Sequence, residues 1–493
     1  MISQVACLLF LLQGDQLASE SRHAKELMAD RRYAEAIPIY EHLVKSVPGN
    51  AGLLLNLALA EEMAGQHARA IPHFEAVLKV QPDNVPALVS VSMAHLQLNQ
   101  SREAIAPLRK LIALQPNDLN ALGMLAGAEL SQNHFTEAAT HYRQLSAQDE
   151  TDPRAWYGLG KSYESLATAT FDRLNKTAPQ SPYVATLLAD SRLQRRQFRS
   201  AFFFYREAQK TSPDLPGVHA GLALVYRETD HADWAAAEQK QEDALPSPDC
   251  AALPAECAFL TGHLLDAVKT VPTAATPATL FWAIKAYNQL AVLAFDHLSQ
   301  LPESVQIHAL KAQTFHDHRQ PMEAANEWRA AVNLAPSDPK LKHELIAALF
   351  DAKDYQATMP LVAELLPQEP QSPELNYFMG ASLWRTEQAE KALPYLETAV
   401  EGNSNILPAD AALGLTLVAL NKNAEAIPHL KKVLALDDDG SLHYSLARAY
   451  RAAGQTQLAA ETMLQYQKIQ KQNDEINRQL AKEAEITGPA GNP

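Results

Sequence analysis

Apolar and polar residues follow one another along residues 51–84 in a pattern that predicts two helices. The apolar positions of the two runs are Leu54, Leu57 and Ala58, followed by Ala70, Phe74 and Val77. Both runs have the spacing of one face of an α-helix. Gly65 lies between the runs and Pro82 follows the second. Because glycine and proline commonly end helices, the segment predicts a helix, a tight turn and a second helix.

This two-helix pattern recurs every 34 residues. The small residues that share one position in the second helix are Ala36, Ala70, Ala104 and Ala138. The bulky residues four places later are Tyr40, Phe74, Leu108 and Tyr142. A helix pair of this length cannot bury its apolar face alone, and repeats of it bury that face by stacking. The sequence therefore predicts an all-α solenoid of antiparallel helix pairs, and no β-sheet.

One segment carries a more specific motif. Trp156, Leu159, Gly160 and Tyr163 reproduce the pattern W-x2-L-G-x2-Y. With the repeated A-x3-F/Y and the closing proline, the chain resembles the tetratricopeptide repeat (TPR) family over nearly its whole length. The registers begin at residues 17, 51, 85, 119, 182, 216, 305, 339, 373, 407 and 440. The resemblance implies a right-handed superhelix that binds proteins.

Two stretches depart from the period and resemble each other. Residues 161–174 recur with similar side chains at 285–298, and in both the turn between helices is missing. The apolar spacing continues through both, which predicts one long helix at 156–177 and another at 279–300.

The same pattern divides the chain into parts. These are an apolar N-terminal segment at 1–16, an N-terminal array at 17–245, a proline-rich irregular hinge at 246–277, a C-terminal array at 278–473, and a polar helix end with a disordered tail at 474–493. The polar end fits the capping role of a terminal helix, which shields the last apolar face of a solenoid from water.

Charge and motifs narrow the possible functions. The formal net charge of −15 disfavours a nucleic-acid partner, because such proteins concentrate Lys and Arg to neutralise phosphates. Phosphate-binding loops, dinucleotide fingerprints and the G-x-S-x-G elbow are missing from the sequence, so we expect no enzyme activity, no cofactor and no metal site. Asp266 and Asp296 are available for a hydrolase in the irregular region, but nothing in the sequence brings them together.

The cysteines and the N-terminus bear on the compartment. Cys250 and Cys257 form C-x6-C within the hinge, either as a disulfide or as two unrelated small apolar residues. The run Val5–Leu12 is apolar and too short to span a bilayer. It is either the core of a signal peptide or an apolar first helix. Together the two features favour export to the periplasm or the cell exterior over a cytoplasmic location.

In the TPR family, the first helix of each pair lines the concave groove. The residues that this resemblance places in the groove are Leu55, Leu59, Met93, Tyr157, Tyr377, Trp384, Tyr444 and Arg448. Apolar and aromatic anchors with a few cations suit an extended peptide or an amphipathic helix. Alternatively, these side chains pack only against the neighbouring first helices.

The sequence favours a non-enzymatic scaffold that holds a protein or peptide partner, in a bacterial cell envelope. The alternative is an accessory subunit that recruits substrate to an envelope enzyme or an assembly machine.

Overall fold

The computed structural model describes residues 2–269, 276–403, 405–482 and 485–489, with the side chains of residues 2–15, 477 and 479–482 left out. Within these residues the chain is helical and has no strand. The helices are α1 Ile2–Ala29, α2 Tyr33–Ser46, α3 Ala51–Met63, α4 His67–Val80, α5 Val85–Gln97, α6 Ser101–Leu114, α7 Leu119–Ser131, α8 Phe135–Gln148, α9 Pro153–Thr177, α10 Pro182–Gln194, α11 Phe198–Thr211, α12 Val218–Glu228, α13 Ala232–Asp243, α14 Pro254–Leu260, α15 Leu264–Lys269, α16 Pro277–Gln300, α17 Val305–Asp317, α18 Pro321–Leu334, α19 Pro339–Asp351, α20 Tyr355–Leu365, α21 Pro373–Arg385, α22 Ala389–Gly402, α23 Leu407–Ala419, α24 Asn423–Lys432, α25 Ser441–Ala452 and α26 Thr456–Lys482.

Side-chain caps fix where several first helices begin. The amide oxygen of Asn50 accepts a hydrogen bond from the Leu53 amide, and Asn84 accepts one from Ala87 in the next repeat. Asp118 caps α7 in the same way. Such caps satisfy amide groups that have no partner within the helix. The first helices α3, α5 and α7 therefore begin 34 residues apart, as the sequence predicts.

The turn inside each pair has a left-handed residue at one fixed position. These residues are Arg31, Gly65, Asn99, Asn133, Arg196, Asp230, Arg319, Lys353, Glu387, Asn421 and Gly454. Each is the fifteenth residue of one of the eleven registers. The turn geometry is thus preserved even though only two of these positions carry glycine, the residue that adopts this conformation without steric cost.

Bulky side chains of one pair fit against glycines of the next. A Cβ atom added at Gly158 would lie 2.2 Å from the ring of Tyr142, and one added at Gly221 would lie 2.2 Å from the ring of Tyr205. Both tyrosines occupy the bulky position of the repeat and are buried. Glycine is required at both places because the ring fills the space that any other side chain would need.

The two long helices that resemble each other pack together. Within one compact unit, the Trp156 ring of α9 stacks on the His297 ring of α16 with centroids 3.8 Å apart. The Tyr163 and Tyr287 rings also stack, at 6.3 Å. The order of these contacts makes the helices antiparallel. Two segments that interrupt the repeat separately in sequence thus form one helix pair in space.

This pairing gives the chain an interleaved organisation. One compact unit contains residues 1–174 and 249–298, and the other contains residues 175–248 and 299–493. The units are therefore not collinear with the predicted arrays at 17–245 and 278–473. The physical reason is the packing of α16 on α9, which returns the chain to the first unit after α13.

The predicted irregular hinge at 246–277 contains two short helices. Pro254 begins α14, where a missing amide hydrogen costs nothing, and Gly262 turns the chain with a φ of +78°. In α15, Leu264 and Ala267 are buried against α16. The prolines start a helix here as well as interrupting the repeat, a distinction that composition does not make. Residues 270–275 lie outside the described residues.

The predicted segment at 1–16 falls within α1, apart from Met1, which lies outside the described residues. Further along α1, Ala24 and Leu27 are buried against Ala36 and Tyr40 of α2. Among the helices described, none combines the length and the apolar character needed to cross a bilayer.

Candidate functional site

The best-developed aromatic surface lies on the first helices of the second unit. The helices α19, α21, α23 and α25 contact one another in order. In α21, Ser372 caps the first turn and Pro373 follows it. Tyr377 and Trp384 are seven residues apart, so they lie on the same face of the helix two turns apart, and both are half-buried. The surface formed by the four helices α19, α21, α23 and α25 is called the first-helix surface below.

Aromatic rings cluster at the α19 end of this surface. The Phe350 ring lies 5.4 Å from the Tyr377 ring and 5.1 Å from the Phe378 ring, between centroids. Tyr355 adds an edge-on contact to Phe350 at 5.5 Å. Tilted and edge-on rings at these distances attract one another. Tyr377 is therefore held rigidly by its neighbours rather than projecting freely from the helix.

Two arginines accompany the aromatic side chains. The guanidinium of Arg385 lies 4.5 Å from the centre of the Trp384 ring, and that of Arg448 lies 6.0 Å from the centre of the Tyr444 ring. Tyr444 is 43% exposed and also faces Tyr466 of α26, with centroids 5.4 Å apart. Arg and aromatic residues together offer an apolar contact and a charge-assisted hydrogen bond.

Burial reinforces the neutral state of one tyrosine in this surface. It raises the pKa of Tyr377 to about 12, and the Tyr355 hydroxyl and Asp351 carboxylate act in the same direction, whereas Arg385 opposes them. The phenol therefore stays neutral at physiological pH, where its hydroxyl donates a hydrogen bond but carries no charge.

The other predicted groove residues lie in the first unit. Leu55 and Leu59 of α3 are half-buried and pack on a core cluster that includes Phe74. Met93 of α5 is 43% exposed, and Tyr157 of α9 is half-buried. The two leucines thus already contribute to stacking, whereas Met93 is more exposed to solvent than either of them.

The structure also places the residues considered for chemistry. Cys250 and Cys257 are joined by a disulfide bond in the first unit. Asp266 is exposed and forms an ion pair with Lys269, with the oxygen and nitrogen atoms 2.7 Å apart. In the described part of the chain, groups of three or more His, Cys, Asp and Glu residues that could hold a metal ion do not occur.

One aromatic site escaped the sequence analysis. Tyr226, His231 and Trp234 form a cluster where α12 ends and α13 begins. Thr487 and Gly488 lie against it, although both belong to the segment 474–493 that the sequence predicted as a polar helix end with a disordered tail. The tail prediction rested on local composition, which carries no sign of a contact with residues some 260 positions earlier. Trp234, at a position that is charged in most repeats, was the available signal.

Comparisons with known proteins agree with this architecture. Three family models, each described as tetratricopeptide repeat, match residues 21–87 and 411–474, residues 274–408, and residues 61–127 and 96–162. Together these matches cover more than half of the chain. The search of curated proteins gave no match.

Solved TPR structures match this chain with low sequence identity and low TM-scores. MamA from Desulfovibrio magneticus RS-1 is 22% identical over 35% of this chain and 98% of its own, with a TM-score of 0.31. YrrB, described as a TPR protein with an unusual peptide-binding site, is 21% identical over 36% and 92%, with a TM-score of 0.30. A TPR protein from Parabacteroides merdae is 11% identical over 68% and 99%, with a TM-score of 0.31.

The periodic helix pairs, the left-handed turn in each register and the family matches lead to one assignment. The chain belongs to the tetratricopeptide repeat family.

Proposed function

We propose that this protein is a non-enzymatic scaffold that binds a peptide or an amphipathic helix of a partner protein along its first-helix surface. The observation that carries the proposal is the presence of two aromatic side chains with adjacent guanidinium groups, the half-buried Trp384 with Arg385 and the exposed Tyr444 with Arg448. Family membership supports the general role of a protein–protein interaction scaffold, and this surface gives it a location.

The chemistry of the surface favours a particular kind of ligand. Trp384 and Tyr444 offer apolar area at little cost in conformational entropy, and Leu415 of α23 is half-buried in the same cluster as Trp384. Arg385 and Arg448 offer hydrogen bonds that match a carboxylate. The proposed ligand is therefore a segment with apolar residues at helical or alternating spacing and at least one acidic side chain.

Paired variants test this proposal. Trp384→Ala combined with Arg448→Ala removes one aromatic anchor and one cation, each expected to contribute about 2 kcal/mol, so binding should weaken about 1,000-fold. The matched control is Tyr395→Ala, because Tyr395 is a half-buried aromatic of the second helix of the same pair. Quantitative affinity purification from the native host should recover a partner with the wild-type and control proteins alone. A partner retained equally by all three proteins would place its binding elsewhere.

The compartment is a second part of the proposal. An exported protein, in the periplasm or the extracellular space of a bacterial envelope, is supported by the apolar run Val5–Leu12 and by the bond between Cys250 and Cys257. Disulfides persist mainly in oxidising compartments.

Mass measurement of the protein isolated from its host tests the compartment. The protein is alkylated with and without prior reduction. In an exported protein, Cys250 and Cys257 should be labelled only after reduction, whereas in a cytoplasmic protein both should be labelled without it. The Cys250→Ser variant is the control, because its Cys257 thiol has lost its partner in the chain and should be labelled under both conditions.

A further inference from the structure

The cluster of Tyr226, His231 and Trp234 forms a compact aromatic site in the second unit. The His231 and Trp234 rings stack with centroids 4.3 Å apart and an angle of 11° between their planes. The Tyr226 ring meets the Trp234 ring edge-on at 5.5 Å. The turn residue Asp230 has a φ of +63° and directs the chain from α12 into α13, which brings the three rings together. We call these three residues the junction site.

Residues 485–489 of the same chain occupy the junction site. The Tyr226 hydroxyl donates a hydrogen bond of 2.6 Å to the carbonyl oxygen of Thr487. The backbone of Gly488 lies on the Trp234 indole, where an added Cβ atom would be 3.1 Å from Cε2. Ile486, Gly488 and Pro489 are half-buried, whereas the side chains of Glu485 and Thr487 are exposed. The contact is therefore made by the backbone and by apolar side chains.

The Tyr226 hydroxyl needs an acceptor at this place. Tyr226 has no exposed surface, and its burial raises its pKa to about 12, so the group remains a neutral donor. Within the described residues, this hydroxyl donates its hydrogen bond to the carbonyl oxygen of Thr487. A buried donor that loses its acceptor destabilises the structure by more than the bond contributes when formed. With the tail in place, the site thus needs a hydrogen-bond acceptor as well as apolar cover, and the tail supplies a peptide carbonyl.

Trp234 stands where other repeats carry a solvated charge. The residue that precedes the buried small residue of the second helix is charged and exposed in seven other repeats, as Glu35, Arg69, Glu103, Glu137, Glu323, Lys391 and Glu425. The tryptophan at this position contacts Tyr226 and His231 of its own repeat. It also provides a flat surface for Gly488, which suits a glycine because the backbone approaches the ring so closely.

The tail is held by few contacts, and its tether makes them sufficient. Residues 485–489 have no regular secondary structure, and within the described part of the chain they contact the junction site through one hydrogen bond and the packing on Trp234. A ligand on the same chain has an effective concentration on the order of millimolar, so a weak contact suffices for occupancy. The same weakness allows an external peptide with similar groups to displace it.

We propose that the junction site is a binding site for short extended peptides and that the protein's own residues 485–489 occupy it as an intramolecular ligand. The recognised peptide has a glycine against Trp234, followed by proline, and its preceding carbonyl accepts the Tyr226 hydrogen bond. An external partner segment of this kind displaces the tail. This proposal is independent of the first-helix surface, because the two sites share no residue.

The test uses full-length proteins and a fluorescent synthetic peptide with the sequence of residues 485–493. Gly488→Val introduces a branched side chain that clashes with Trp234 and should free the site. Thr487→Ala is the matched control, since it removes an exposed side chain and keeps the carbonyl. The Gly488→Val protein should bind the peptide at least about tenfold more tightly than the wild-type and Thr487→Ala proteins.

Further variants locate the binding. Adding Trp234→Ala or Tyr226→Phe to Gly488→Val should weaken peptide binding, about tenfold in the case of Tyr226→Phe, whereas adding Tyr395→Ala should leave it unchanged. Amide exchange at residues 226–234 should be faster in Gly488→Val than in the wild type. Equal peptide binding by all proteins, binding by none, or binding that survives Trp234→Ala would overturn the proposal. A concentration-dependent dimer abolished by Gly488→Val would overturn the intramolecular assignment.

Discussion

Trp384 and Trp234 lie in the same unit and differ in what surrounds them. Trp384 belongs to the apolar stripe of a first helix, packs in the core cluster of the C-terminal pairs and stacks with Arg385. Trp234 opens a second helix at a position that is charged in most repeats, and Gly488 lies against it. Both residues are half-buried, but repeat packing accounts for only one of them.

The comparison shows that position within the repeat matters more than residue type. A tryptophan at a position that packs helix pairs together, such as Trp384, has a structural role whether or not a partner binds. A variant there therefore affects both stability and binding. Trp234 lies outside these positions, where it contacts Tyr226 and His231 of its own repeat and Gly488 of the tail. A large apolar residue at a position that is polar in other repeats is therefore a more specific indication of a ligand than one at a position that packs helix pairs together.

The largest expected effect comes from disrupting the contact between α11 and α12, next to the junction site. Gly221→Leu forces a side chain into the ring of Tyr205, which lies 2.2 Å from the position of an added Cβ atom, and should lower the free energy of unfolding by about 3 kcal/mol. Urea unfolding measures the loss, and amide exchange should localise it to α10–α13, with α21 little affected.

A matched glycine serves as the control for that variant. A Cβ atom added at Gly123 of α7 would lie 3.5 Å from Leu145, an ordinary contact, and alanine favours helix more than glycine does. Gly123→Ala should therefore be neutral or stabilising. A similar loss of stability in both variants would contradict the fit of rings against glycines.

The next effect sharpens the difference between the two tryptophans. Trp384→Ala should lower the free energy of unfolding by about 2 kcal/mol, because it leaves a gap in the C-terminal cluster. Trp234→Ala should cost less than half of this, because its main contacts are His231, Tyr226 and the tail. Thermal or urea unfolding of the two variants decides the order. Equal losses would mean that Trp234 is an ordinary core residue.

The smallest effect concerns pH and again acts on the pair that carries the junction site. The carboxylate of Glu238 accepts a hydrogen bond from the buried His219 ring and raises the pKa of His219, with a further contribution from Glu242, although burial opposes this shift. A raised folded-state pKa stabilises the fold fully below the ordinary value of 6.5. That contribution should fall as pH rises from 6.5 through the folded-state pKa.

Unfolding of the wild type and of Glu238→Gln in urea, over a range of pH that brackets 6.5, measures this contribution. The wild type should lose more stability than the variant on going to the higher pH, since the variant lacks the charge that favours protonated His219. The same slope in both proteins would assign the pH dependence to other groups.

The sequence predicted the repeat because its signals are local. The alanines at a spacing of 34 and the capping residue Asn84 act on neighbours within one or two turns, so their consequences follow from the sequence. Family membership, the all-α fold and the helix pairs are confirmed by the structure and the family matches. The left-handed turns at Asn99 and Asn133 are of the same local kind.

The remaining features depend on contacts between distant residues. The sequence shows that 161–174 resembles 285–298, but nothing local indicates that Tyr163 and Tyr287 meet. The docking of Thr487 on Tyr226 is likewise invisible, because neither residue departs from what its own neighbourhood allows. The groove residues remain a prediction from the TPR resemblance, since a half-buried side chain such as Tyr377 serves stacking and binding equally well.

Photo-cross-linking in the native host tests the central claim most directly. A photoreactive phenylalanine derivative at Trp384, on the first-helix surface, is compared with the same residue at Tyr395, on the second helix of the same pair. We expect position 384 to cross-link to a defined segment of a partner protein, one with apolar residues and an acidic side chain, and position 395 not to do so. Cross-links of equal yield at both positions, or none at position 384, would contradict that claim.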